Sequence, residues 1–201
     1  MSGVSGRVTR PIAIVAAVGL FCLLAYAAVY QPFPSDRTPE GAYMRIAQSV
    51  GQDRPRAFFA YLETEAQWAC FTVHDMRSKA SQRIAESYPE PQRSEMLGQY
   101  KAAAEAADGS KMFAILYRER NWARRLRKDL SGIAKVEVEG ERASVVTALG
   151  TRYPFRRREN GIWGMTIFTA ELLADAEKAT RDLAVVSAAA DDYDRARGKQ
   201  R

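Results

Sequence analysis

The chain has 201 residues, 47% hydrophobic and 10% aromatic, which excludes a disordered chain and suits one domain with an appendage. Its net charge of +6 is a mild excess spread among 24 acids, too dispersed to imply a nucleic-acid partner. Cys22 falls in an apolar run and Cys70 far from it, which excludes a disulfide framework inside the folded domain.

From Ile12 to Val29 the chain carries no charge for eighteen residues. As a helix this run would span ~27 Å at ~1.5 Å per residue, close to the ~30 Å hydrocarbon thickness of a bilayer. Arg7 and Arg10 precede it, while the flank after it is balanced by Asp36, Arg37 and Glu40. The positive flank puts the N-terminus in the cytoplasm and the rest outside. The chain then divides into a cytoplasmic tail (1–11), a transmembrane anchor or signal segment (12–29), a spacer (30–38), an α+β domain (39–168) and a long C-terminal helix (169–197). The anchor reading gives a single-pass protein of a bacterial-type inner membrane with a periplasmic domain. A second reading takes Ala25-Tyr26-Ala27 as a cleavage site, making the run a removed signal and the product secreted. Both export the domain.

Tyr30 to Glu40 holds three prolines and no periodicity, as a stiff spacer would. Thr38-Pro39-Glu40 then supplies a capping hydroxyl, a first-turn proline and an acid, predicting a helix over about 41–50. After "GQDRP", a second helix is expected over 56–63 with Phe58, Phe59 and Leu62. Ala69, Val73, Met76, Ala80 and Ile84 recur at helical spacing and predict a third over 65–87. A fourth, alanine-rich, is expected over 93–107. Asp108-Gly109-Ser110 caps a fifth, read as one helix over 111–130 with Met112, Ile115, Leu116, Ala123, Leu126 and Leu130 facing inward. Its second half is "ERNWARRLRKDL", four arginines and a lysine in twelve residues, which reads as a solvated helix face.

After Gly132 the period becomes two. Ala134, Val136 and Val138 alternate with charges, Gly140 turns the chain, "RASVVTAL" returns, and Tyr153 and Phe155 flank Pro154. Asn160-Gly161 predicts a two-residue hairpin turn, with Arg158 facing Trp163 and Arg156 facing Met165. A last strand, "IWGMTIF", is apolar on both faces and needs cover on both. The class is therefore α+β: an N-terminal transmembrane helix, a helical half, a four-stranded antiparallel meander and a long C-terminal helix. In that helix Leu172, Ala176, Ala179, Leu183, Val186, Ala190 and Tyr193 alternate spacings of four and three. At ~1.5 Å per residue it is roughly 40 Å long, more than a small sheet covers.

"TPEGAYMRIAQSVGQDRPRAFFAYL" and the closing "ENGIWGM", with Gly161 and Trp163, resemble the nuclear-transport-factor-two-like superfamily. The resemblance covers roughly residues 38–168. It implies a cystatin-like cone of helices wrapped by a curved sheet, and its exported, anchored members carry such a domain alone. The helices inserted over 65–130 and the C-terminal helix depart from that pattern, and the fold hosts enzymes, binding domains and assembly factors.

Cys70 and His74 are four apart on one helix, and they are the candidate catalytic pair; the bland reading is a part-buried thiol beside an incidental histidine. No metal set, cofactor loop or nucleotide fingerprint is present, so no metal and no cofactor is expected. Trp163, Met165 and Ile167, with Tyr153 and Phe155, are the expected ligand or partner surface. Leu172, Ala176, Ala179, Leu183 and Val186 are the expected self-association seam, packing on the chain's own sheet being the alternative. The leading expectation is a membrane-anchored, non-catalytic binding or assembly module of the cell envelope, with a homodimer or an envelope protein as partner. The rival is a ligand-binding or catalytic cone lined by Tyr43, Phe58, Tyr153, Phe155 and Phe168, with His74 as the titratable group.

Overall fold

The computed structural model describes residues 33–198, which apart from Phe33 belong to one compact unit, Pro34–Arg201. The apolar run from Ile12 to Val29 lies outside the described residues. Among the described residues, no helix is long and apolar enough to cross a membrane.

Six helices precede the sheet: α1 (Pro39–Gly51), α2 (Pro55–Phe59), α3 (Thr64–Ser87), α4 (Gln92–Ala104), α5 (Gly109–Glu119) and α6 (Trp122–Asp129). Thr38 caps α1, its hydroxyl accepting from the Gly41 amide at 3.2 Å, and Asp108 caps α5 by accepting from the Lys111 amide at 2.8 Å. Four strands follow, β1 (Ile133–Glu139), β2 (Arg142–Thr147), β3 (Arg152–Arg157) and β4 (Trp163–Met165), then α7 (Thr169–Gly198). The sheet is an antiparallel meander in the order β1-β2-β3-β4. The fold is α+β, with the sheet and the long last helix where the periodicity places them.

Three expectations are corrected. The basic stretch is two helices, because Asn121 adopts φ 54° between α5 and α6, a left-handed conformation that asparagine tolerates better than most residues. That turn swings Trp122 into the core, where it stacks on Phe168 at 4.0 Å. The second helix stops at Phe59, since residues 61–63 run extended along β4: the Met165 amide donates to Tyr61 O at 2.8 Å and the Glu63 amide to Met165 O at 3.2 Å. The last hairpin has three loop residues. Arg158 pairs with Ile162, the Gly161 amide returns to Arg158 O, and Gly161 takes φ 81°, a turn closed by a left-handed glycine. Of the two turn residues, only Gly161 has the positive φ that a type I′ turn demands of both. The register therefore slips by one: Phe155 faces Met165, and Arg157, not Arg158, faces Trp163.

The main core lies between one face of the sheet and α1, α2, α3, α5 and the start of α7. Phe58 meets Phe113, Tyr117 and Phe168 at ring distances of 5.6, 6.1 and 6.1 Å. A second, smaller cluster joins the far halves of α3 and α7 to α4 through Ala80, Ile84, Tyr88, Val186 and Ala190. Helices α3 and α7 run parallel. Glu63 and Thr169 bond at their starts, and Arg83 with Asp191 and Ser87 with Asp194 at their ends. The seam from Leu172 through Ala176 and Ala179 to Val186 is thus spent inside the chain. Along this seam α7 packs mainly on α3, which is long enough to cover it where the sheet is not. Leu183 is half-buried against the second cluster.

Candidate functional site

Two clefts adjoin on the outside of the sheet and share Glu63 and Arg156. The larger, of about 760 Å³, lies over the outer face and is lined by Glu137, Arg142, Ser144, Pro154 and Thr166 among others. The second, of about 600 Å³, runs between the start of α3 and the last hairpin, from Trp68 and Phe71 on one wall to Arg157, Arg158 and Asn160 on the other.

Glu63 is 3% exposed at the residue preceding α3. One carboxylate oxygen accepts from the hydroxyl of Thr169, the first residue of α7, so the anion sits where two parallel helices begin. The other oxygen is buried without a hydrogen bond and lies 3.4 Å from the Arg156 guanidinium, which also holds Glu65 at 3.0 Å. Arg157 pairs with Glu141 at 3.4 Å. Arg158 donates to Ala60 O at 2.9 Å and to Gln67 Oε1 at 3.0 Å, its Nε is buried without a partner, and burial lowers its pKa. It was expected to cover Trp163; the register slip puts Arg157 there.

The opposite wall is apolar and wet. Trp68 is 66% exposed and Phe71 42%, with their rings 6.1 Å apart. Phe71 is anchored from behind by Phe59 at 5.9 Å and rests on Gly109, where any Cβ would meet its ring at 2.7 Å. Sequence periodicity missed this pair. The available signal was two large aromatics three apart on α3, off the Ala69–Val73–Met76 stripe.

The residues singled out from the sequence lie elsewhere. Trp163 and Met165 are 4% and 0% exposed, and Ile167 packs half-buried against the same core, so this strand end is interior and not an open surface. The second face of β4 is closed by the chain itself: Gly164 lies so near residues 62–63 that a Cβ would stand 2.6 Å from Glu63 backbone. Tyr43, Phe58, Tyr153, Phe155 and Phe168 are each at most 2% exposed, and they fill the interior where the rival reading expects an open pocket. Cys70 is fully buried, and burial first, then the charge of Asp175, pushes its thiol up to about 12. His74 is bonded through Nε2 to Ala106 O at 2.8 Å, fastening the end of the α4 segment to α3. A thiol held protonated and an imidazole on a backbone carbonyl are not a nucleophile and its base.

Comparison with family models, with curated proteins and with solved structures finds no match. The site therefore has to be read on its own chemistry. Among the described residues, no group of three His, Cys, Asp or Glu side chains is placed to hold a metal ion. The basic stretch is explained within the fold: Arg120 reaches Asp175 and Glu171, Arg125 reaches Glu171 at 3.0 Å, and Arg127 donates to Val50 O at 3.2 Å. Arg120 also lies 5.4 Å from the Trp122 ring centroid. Arg120, just after α5, and Arg125, on α6, are fastened to α7, and Arg127 ties α6 to the end of α1.

Proposed function

We propose that this chain is a non-catalytic binding module of the cell envelope, displayed outside the membrane by its N-terminal segment, which takes a protein partner in the groove between Trp68 and Arg158. The observation that carries this reading is the Trp68–Phe71 pair: two aromatics left in water beside a preformed cleft, one of them wedged rigidly on Gly109. Burying a large apolar side chain is worth about 1.5–3 kcal/mol, and such aromatic anchors beside arginine are what protein interfaces concentrate. The groove mixes Arg157 and Arg158 with Glu65 and Glu159, which suits a polar rim more than an anion pocket. Membrane display rests on the uncharged run and its positive flank. A conical superfamily domain remains part of the same proposal, on the motifs given above.

A photoreactive phenylalanine analogue at position 68, introduced in cells, tests this. One discrete adduct from position 68, absent when the analogue replaces solvent-facing Arg181, is the expected result. Equal patterns from both positions would sink the reading.

A further inference from the structure

We propose that two copies of this chain join edge to edge through β1, in antiparallel register centred on Val136, to form one continuous eight-stranded sheet. The contact is independent of the Trp68 groove.

The two edges of the sheet are treated differently. At β4 the chain closes its own edge, with Trp163 donating to Asp36 O at 3.2 Å and Met165 to Tyr61 O at 2.8 Å. At β1, the other end of the order, no backbone hydrogen bond among the described residues reaches the outer side. The directions follow from the register. Arg157 donates to Glu141 O at 2.8 Å, so residues 141, 143 and 145 turn their polar groups toward β3, and 142, 144 and 146 turn theirs toward β1. Their partners Glu139, Glu137 and Lys135 are thereby spent on β2. The amides and carbonyls of Val136 and Val138 face outward, ready to template another strand, while Ala134 lies in the irregularity between Ile133 and Lys135.

Lys135 and Glu137, which flank Val136 and pair with each other at 2.9 Å, with Glu137 also holding Arg152 at 2.6 Å, complement the same two residues of a second copy as well. With Val136 opposite Val136 of the second copy, each Val136 N–H donates to the other's carbonyl, and Lys135 stands opposite Glu137 of the second copy, twice. Sliding the register by two residues either way sets Lys135 against Lys135 or Glu137 against Glu137, which repels. On the opposite face Val138 comes to lie across from Ala134. Val138 is 58% exposed, and Leu149, whose amide bonds Ser131 Oγ just before β1, is 64% exposed. These two exposed apolar residues mark opposite ends of the strand, and the twofold brings each toward the other copy's. The irregularity between Ile133 and Lys135 bounds the ladder at that end.

The test is the mass of the full chain in mild detergent by analytical ultracentrifugation, as wild type, as Lys135→Glu, as Lys135→Glu with Glu137→Lys, and as Val136→Pro. Proline is tolerated on an edge whose amide faces out, and although Val136 also packs against the main core, a Val136→Pro variant whose circular dichroism matches wild type removes only the central donor. The expected result is a wild-type dimer, weakened about tenfold or more by Lys135→Glu, restored by the double swap and lost in Val136→Pro. A wild-type monomer, or a dimer indifferent to the charge swaps and to proline, would overturn the proposal.

Discussion

Glu63 and Gly164 make one of the closest backbone approaches among the described residues. The Glu63 carboxylate is tied to Thr169 and faces Arg156, while its backbone presses on β4 where only hydrogen fits on Gly164. Gly164→Ala should therefore cost about 1–3 kcal/mol, the range for overpacking a filled interior, read as a lowered urea midpoint at unchanged slope. Gly98, in α4 with open space around its missing Cβ, is the control: Gly98→Ala should stabilise by about 0.5–1 kcal/mol. Equal effects of the two would show that close approach is not what position 164 requires. Cys70 belongs to the same scale. Its fate was undecidable from a Cys–His spacing of four, since what silences the thiol is burial beneath α7 and the charge of Asp175.

At the scale of elements, α3 and α7 form the spine. Parallel packing brings two positive helix ends together, a repulsive arrangement that the Glu63 carboxylate offsets. Small residues on α7, Ala176, Ala179 and Ala190, let the two helices approach, and Arg120 and Arg125 hold α6 against Glu171 and Asp175 from the side. Because this seam is intramolecular, Leu183→Glu should act on stability and not on assembly. It introduces a charge beside Tyr88 and Val186 and should cost about 1–3 kcal/mol, seen in thermal unfolding, with the sedimentation mass unchanged. A change of mass without loss of stability would return the seam to the surface. Helix starts at Thr38 and Asp108 were legible, because a cap is a local arrangement of two or three residues. The break at Asn121 was not: Met112, Leu116, Ala123 and Leu126 keep helical spacing on both sides of it, so the stripe reads through. The same holds for the hairpin, where Asn160-Gly161 announced a turn, yet its length, and with it every facing pair, depended on how Phe155 and Met165 pack.

The whole described unit has two apolar centres, a large one under the sheet and a small one at the far ends of α3, α4 and α7. Helices α3 and α7 span both, while α4 reaches the large one only near its end, through Ala103, and is bound mainly through the smaller. Native-state hydrogen exchange should accordingly show two openings: α4 and the second half of α7 at lower free energy, β2, β3 and α5 at the global value. Tyr88→Ala, which removes contacts to Val186 and Tyr193, should widen the gap by speeding exchange in α4 and the second half of α7 alone. Uniform acceleration across the sheet would mean that the clusters melt as one.

What the sequence determined is what local chemistry determines. The change of period from 3.6 to 2 near Gly132 gave the α+β order, capping residues gave helix starts, and heptad spacing gave α7 its apolar seam. Tertiary structure alone decided which partner each apolar face took. Trp163 and Met165 look the same to a pattern whether they face a partner or a core, and the chain's own residues 61–63 closed them in. Trp68 and Phe71 look like any helix aromatics until the neighbouring faces are filled without them. Hydrophobicity states that a surface will be buried; only the contest among all the surfaces for one another settles which are left in water.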